Sequence, residues 1–189
     1  MNFPLIWKIL FYGWTASEIV LVLATRTRQS HGKVQDRGSI FLLWGTIVGS
    51  IFAAEWIRAL TPATIFPGAH WPRYTAIALM ILGLVVRWIA ILSLGKAFSV
   101  NVAIRDAQQL YQSGLYRFVR HPSYTGMVIC FLAIALAERN WYSAAIVLVL
   151  PTAALLYRMH VEEIALLGAF GPQYQRYQET TRRLIPGIY

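Results

Sequence analysis

Charge is scarce in this chain. Only 13% of its 189 residues are Asp, Glu, Lys or Arg, against 57% that are hydrophobic. A soluble domain carries roughly 25% charged residues, and the mean hydropathy of +0.51 points the same way, so water is not the main solvent. Cysteine is scarcer still. The single thiol, Cys130, excludes an intrachain disulfide and a cysteine-held metal cluster; it lies inside an apolar run and reads as packing. No internal repeat stands out, no alternation of short strands and helices suggests a parallel sheet, and no glycine-rich dinucleotide signature is present. These absences argue against a soluble nucleotide-binding fold.

What remains is apolar chain. A spanning helix needs about 20 mostly apolar residues, and five runs come near that length: 4–25, 39–60, 74–95, 122–137 and 141–160. The fourth is short and is expected to form a tight hairpin with the fifth through Glu138, Arg139 and Asn140. Lys8 is the only charge before the first run's apolar stretch and no small-residue cleavage site follows, so that run reads as a retained helix rather than a signal peptide. The expectation is an all-α integral membrane protein of about five transmembrane helices.

The net charge of +9 does not mark a nucleic-acid binder, because the basic residues form no single patch and do not alternate with exposed aromatics. They sort by loop. Arg26, Arg28, Lys33 and Arg37 fall in the first connection, Lys96, Arg105, Arg117 and Arg120 in the third, and Arg158, Arg176, Arg182 and Arg183 follow the fifth run. The other side keeps mainly Lys8, Arg58, Arg73 and Arg139. The positive-inside rule then gives an outside N-terminus and a cytoplasmic C-terminus. Trp71, Tyr74, Trp141 and Tyr142 sit near run ends, as an interfacial belt requires.

The chain changes character near Trp71 and Pro72, which divides it into a pair of helices, 1–72, and a functional core, 73–189. In the core, polar residues gather at 96–126 and 158–186, both on the cytoplasmic side of this topology. The chemistry is expected where these segments meet. Glu18, Glu55 and Arg87 lie at membrane depth, where charge is costly and functional by default. Glu55 and Arg58, three apart, can pair. Arg87 can pair with Glu18 or Glu55 from a neighbouring helix, and its role stays open.

Two motifs carry the functional reading. In SGLYRFVRHPSYTG, 113–126, Gly114 permits a turn and Pro122 suits the first turn of a helix. Arg120 and His121 thus arrive at a helix N-terminus, a seat for a carboxylate or phosphate. A basic membrane anchor with a helix cap explains those residues equally well. In RMHVEEIALLGAFG, 158–171, Arg158 and Glu162 share one helix face while Glu163 points elsewhere. Gly171 and Pro172 break the helix, and PQYQRYQETTRR resumes as a short amphipathic surface segment.

With LGKAF at 94–98, GLYRFVRHPSYTG at 114–126, EEIALLGAFGPQYQRY at 162–177 and RRLIP at 182–186, residues 74–186 closely resemble the isoprenylcysteine carboxyl methyltransferases and their prokaryotic relatives. The resemblance implies a helical enzyme of a prokaryotic inner membrane that binds S-adenosylmethionine in a cytosolic-face pocket formed by its C-terminal half. The pocket would open to the bilayer for a lipid-like or prenylated acceptor. By similarity the cofactor residues are Tyr116, His121, Pro122, Ser123, Tyr124 and Glu162, with Gln108, Gln109, Leu110 and Tyr111 on the adenosine side. Arg158 stands where the family places an arginine facing the substrate, and is the residue expected to serve catalysis.

Those residue types suit the cofactor. Its carboxylate, ammonium, sulfonium and aromatic base call for a cation, an anion and aromatic surfaces together. Methyl transfer to a substrate carboxylate needs no general base, so rate comes from alignment and exclusion of water. A phospholipid amine as acceptor would instead need a base such as Glu162, Glu163 or His160, and Arg158 argues against it. A non-enzymatic membrane scaffold is a further alternative, and a reductase lacks its dinucleotide signature.

Overall fold

In the computed structural model, which describes residues 3–26, 32–36, 38–61, 64–95, 102–105 and 110–189, six helices build the fold. They are α1 (Phe3–Arg26), α2 (Gly38–Leu60), α3 (Trp71–Leu94), α4 (Pro122–Glu138), α5 (Trp141–Phe170) and α6 (Pro172–Thr180). Helices α1, α2, α3 and α5 are long and apolar enough to cross a membrane, and α4 is a shorter apolar helix. The expected integral membrane, all-helical architecture holds. The one addition is a pair of short strands, β1 (Gly32–Asp36) and β2 (Val102–Arg105), which run antiparallel with Gly32 opposite Arg105. Their pairing brings the connections after α1 and α3 to one end of the bundle.

The α4–α5 hairpin forms at the three expected residues. Arg139 takes the left-handed conformation (φ 55°) that ends α4. Asn140 caps α5, its side chain accepting from the Tyr142 and Ser143 amides at 3.0 and 3.1 Å, which satisfies two orphan donors of the first turn. Its amide nitrogen donates to Thr61 Oγ1 at 2.9 Å, tying the hairpin to the end of α2. Helix α5 runs ten residues past the apolar run that ends at His160, and it stops at Phe170 because Gly171 is left-handed (φ 51°) and Pro172 begins α6. The break at Gly171 and the short helix after it match the sequence reading.

Two seams hold the bundle. Between α3 and α4 the backbones nearly touch: a Cβ on Gly126 would lie 2.6 Å from the Gly83 carbonyl oxygen and 2.7 Å from the Arg87 amide, and one on Gly83 would lie 2.6 Å from Cys130 Sγ. Small residues are what allow helices in lipid to approach so closely. The buried Cys130 thiol is packing in that seam, as expected. Between α2 and α5, Ser143 donates to the Ala54 carbonyl at 2.7 Å. The core centres on Trp14, Leu43, Met80, Phe131 and Leu155, with Trp14 edge-on to Phe131. Leu92, Phe41, Phe52 and Trp56 are largely exposed on the outer faces of α2 and α3, as residues facing lipid tails are.

Candidate functional site

The site grows from the turn that starts α4. Gly114 (φ 61°) opens a single 3-10 turn, Gly114–Arg117, and the chain then runs extended into His121, the residue that precedes Pro122 at the first position of α4. Proline gives up no hydrogen bond there. The segment is not left alone in solvent. The C-terminal strand of chain beyond α6 lies against it in parallel, Val119 bridging Arg182. The Arg120 amide donates to the Arg182 carbonyl at 2.7 Å and the His121 amide to the Arg183 carbonyl at 3.0 Å. Thr125 Oγ1 donates to the Leu184 carbonyl at 2.8 Å. RHPSYT and RRLIP, joined by hydrogen bonds between residues 59 to 62 apart, thus become one unit.

Glu163 fastens that unit to α5. Its Oε1 accepts from Arg120 Nε at 2.9 Å and faces His121 Nε2 at 3.3 Å, and its Oε2 takes Arg183 Nη2 at 2.7 Å. Arg120 also donates to the Gln178 carbonyl at 3.2 Å, linking the end of α6. Three positive or ionisable groups thus surround one buried carboxylate and satisfy both of its oxygens. The sequence reading turned Glu163 away from Arg158 and gave it a role only as a candidate base for an amine acceptor, not this structural one. Its signal was the run of two glutamates with cations in every segment that was expected to converge.

Glu162 faces the other way, as the helix period requires. Tyr124 donates its hydroxyl hydrogen to Glu162 Oε2 at 2.7 Å and accepts from Arg158 Nε at 3.1 Å. One phenol therefore joins a carboxylate and a guanidinium that are four residues apart on α5. Arg158 Nη1 donates further to Ser39 Oγ at 2.8 Å, on the first turn of α2. His121 lies flat on the Tyr124 ring, centroids 5.5 Å apart and planes 15° from parallel. Of the residues singled out from sequence, His121, Pro122, Ser123, Tyr124, Arg158 and Glu162 are brought together here. The first three and Arg158 are buried, while Tyr124 and Glu162 keep partial access.

Tyr116 sits one layer away. Its hydroxyl donates to the Ala90 carbonyl of α3 at 3.3 Å, its own carbonyl accepts from Tyr177, and its ring meets Tyr111 edge-on at 5.5 Å. Leu110 and Tyr111 are half-buried beside it. Gln108 and Gln109 lie outside the described residues. Burial raises the Tyr116 and Tyr174 phenols above the ordinary range and pushes Tyr177 up to about 12. None of the three is a base near neutral pH, and all act as donors or aromatic surface. Tyr174 is the one that sequence reasoning missed. Its hydroxyl is buried in α6, within electrostatic reach of Glu163, Arg120 and Glu162, yet it has no hydrogen-bond partner among the described residues.

The membrane-depth charges resolve into pairs. Glu55 bonds Arg58 on α2, and Arg58 reaches Glu138 at 3.4 Å, at the end of the bundle away from this site. Arg87 of α3 pairs with Glu18 of α1, one of the two partners expected for it.

The chain is similar to known proteins in sequence and fold. Residues 76–168 match the isoprenylcysteine carboxyl methyltransferase family. Over 95% of its length the chain is 26% identical to a probable protein-S-isoprenylcysteine O-methyltransferase of Oryza sativa, covering 92% of that protein. It is 30% identical to protein-S-isoprenylcysteine O-methyltransferase A of Arabidopsis thaliana, over 70% of each chain. A solved structure of a eukaryotic intramembrane Ras methyltransferase, isoprenylcysteine carboxyl methyltransferase, superimposes with a TM-score of 0.64 at 28% identity. The match covers 76% of this chain and 51% of that one, so the chain spans about half the length of that larger protein.

Proposed function

The chain belongs to the isoprenylcysteine carboxyl methyltransferase family, and we propose from that membership that it transfers a methyl group from S-adenosylmethionine to the carboxylate of a lipid-like, isoprenylcysteine-type acceptor. The observation that carries this reading is the meeting of Arg158 and Glu162 at the Tyr124 hydroxyl. A cation for an acceptor carboxylate and an anion for the cofactor's hydroxyl or ammonium groups then stand on adjacent turns of one helix. The catalytic core lies in residues 73–189.

The residues present fit the cofactor. The buried Tyr174 hydroxyl lacks an acceptor among the described residues, which a bound polar ligand would supply. Tyr111, Tyr116 and Tyr124 offer aromatic faces or edges, and Glu162 has partial access with one carboxylate oxygen engaged by Tyr124. Tyr116, Pro122, Ser123, Tyr124 and Glu162 would hold the molecule, with Leu110 and Tyr111 on the adenosine side together with Gln108 and Gln109. His121 acts through its stacking on Tyr124 and its contact with Glu163. When bound, the cofactor supplies an electrophilic methyl group on a sulfonium.

The chain's own task is alignment. An acceptor carboxylate is ionised at neutral pH, so no residue has to remove a proton from it. Arg158, whose Nε and Nη1 donate to Tyr124 and Ser39, would exchange partners to give two parallel N–H groups to that carboxylate and fix one oxygen in line with the methyl group. Burial of Arg158 and of the α4 first turn excludes water, which strengthens those contacts. An acceptor carried in the bilayer would approach the site along the exposed apolar faces of the helices. The sorting of basic residues, together with the β1–β2 pairing that joins two basic connections, supports an outside N-terminus and a cytosolic site. The test is calorimetric titration of purified protein with S-adenosylhomocysteine. Saturable binding is expected, and no binding would remove the reading.

A further inference from the structure

Arg87 is nine-tenths buried on α3, seven residues and so about 10 Å of helix before its end at Leu94. Charge at such depth is expensive, and an ion pair alone is a poor reason to keep it, since a well-packed apolar pair serves as well or better. The guanidinium does more than pair. Its Nε and Nη2 engage both oxygens of Glu18 on α1, while Nη1 donates to Ser123 Oγ at 2.8 Å and leans on the Ser123 carbonyl at 3.4 Å. Ser123 is the second residue of α4, between Pro122 and Tyr124. The Arg87 backbone is itself fixed against Gly126, one turn further along α4. Three helices are therefore linked through one guanidinium, with the Ser123 hydroxyl at its end.

A hydroxyl that accepts from a guanidinium keeps its own hydrogen to donate. The fork geometry of arginine places the Ser123 oxygen, because Glu18 holds two of the nitrogens and leaves the third to the serine, and the hydroxyl hydrogen is left to point away from the guanidinium. We infer that Arg87, held by Glu18, is a positioning residue for the cofactor: it orients Ser123 and the first turn of α4, so that α1 is part of the working site. This rests on the reading of Ser123 as a cofactor contact. Lysine at position 87 would keep the charge for Glu18 but cannot reach both partners at once, which separates the orienting role from the ion pair.

The experiment is a double-mutant cycle read as S-adenosylhomocysteine affinity by calorimetry, with thermal unfolding as a check on the fold. The four proteins are wild type, Arg87→Lys, Ser123→Ala and the double variant. Each single change is expected to weaken binding about tenfold, the loss of one charge-assisted hydrogen bond, and the double variant to be no weaker than Ser123→Ala alone. Should Arg87→Lys not fold, Glu18→Gln takes its place in the cycle with the same expectation. Equal losses from Arg87→Lys in both backgrounds would overturn the inference, as would wild-type affinity in Arg87→Lys beside a weakened Ser123→Ala. Unchanged affinity in Ser123→Ala with a wild type that binds would overturn it too, leaving the wider methyltransferase reading intact. A wild type that does not bind at all would instead remove that reading.

Discussion

Tyr124 and Glu162 lie 38 residues apart in sequence and 2.7 Å apart in space, the phenol of α4 donating to the carboxylate of α5. The same oxygen accepts from Arg158 at 3.1 Å. Tyr124→Phe deletes only that atom. It should lower S-adenosylhomocysteine affinity by about tenfold, because Glu162 and Arg158 both lose a hydrogen-bond partner in a poorly solvated place. Glu162→Ala should weaken binding ten- to a hundredfold for the same reason. Calorimetry on folded protein measures both, and unchanged affinity would move the pocket elsewhere.

Glu163 should matter for the fold rather than for the ligand. Removing it leaves the charge of Arg120, 10% exposed, with only the neutral oxygens of Gln178 and Thr181, and leaves Arg183 and His121 without their shared partner. Glu163→Ala should cost about 3–5 kcal/mol, as the loss of one member of a buried charge cluster does. Thermal unfolding in detergent reads this as a large drop in midpoint, and a stability equal to wild type would contradict the role given to the cluster.

The α3–α4 seam predicts a contrast between two glycines. Gly126→Ala would drive a methyl group to 2.6 Å from a backbone oxygen that cannot step aside, so the variant should be destabilised by at least 1–3 kcal/mol. Gly45 of α2 has nothing within 4 Å of its Cβ position. Gly45→Ala should therefore be neutral or stabilising by up to about 1 kcal/mol, the helix-propensity gain. Equal effects in the two variants would mean that the helices are not as close as described.

Topology is checked by cysteine labelling in a Cys130→Ser background. His70 lies in the connection between α2 and α3, whereas Gln112 and Glu179 flank the site, and all three are exposed. Cysteines at 112 and 179 should be labelled from the cytosolic side and one at 70 from outside. Labelling of 70 and 179 from the same side would contradict the alternation of the helices.

Much of this arrangement was legible in the sequence, for identifiable reasons. Helix ends were readable where a proline or glycine forces them, at Pro122 and at Gly171. The α4–α5 hairpin was readable because three polar residues interrupt otherwise continuous apolar chain. The end of α5 was underestimated by hydropathy alone, since Val161–Phe170 mixes two glutamates into a helix whose propensity is undiminished. What the sequence did not carry was lateral contact. Nothing in RRLIP announces that it lies as a parallel bridge beside RHPSY, nor that Ser39 on α2 receives Arg158, because both depend on which helices become neighbours. Arg87 had two eligible partners at similar depth, and only the packing of α1 on α3 selects Glu18.

Methyl transfer to a carboxylate held by Arg158 can be measured directly. Purified protein in lipid is incubated with methyl-labelled S-adenosylmethionine and a prenylated cysteine derivative, and the labelled product is split by mild base, which releases the methyl group of an ester but not of an amine. The account predicts base-labile label with the wild type, loss of most of it in Arg158→Lys, which keeps the charge but not the fork, and near-complete loss in Arg158→Ala, with cofactor affinity little changed in either. Base-stable label on a phospholipid amine, with full activity in Arg158→Ala, would contradict it.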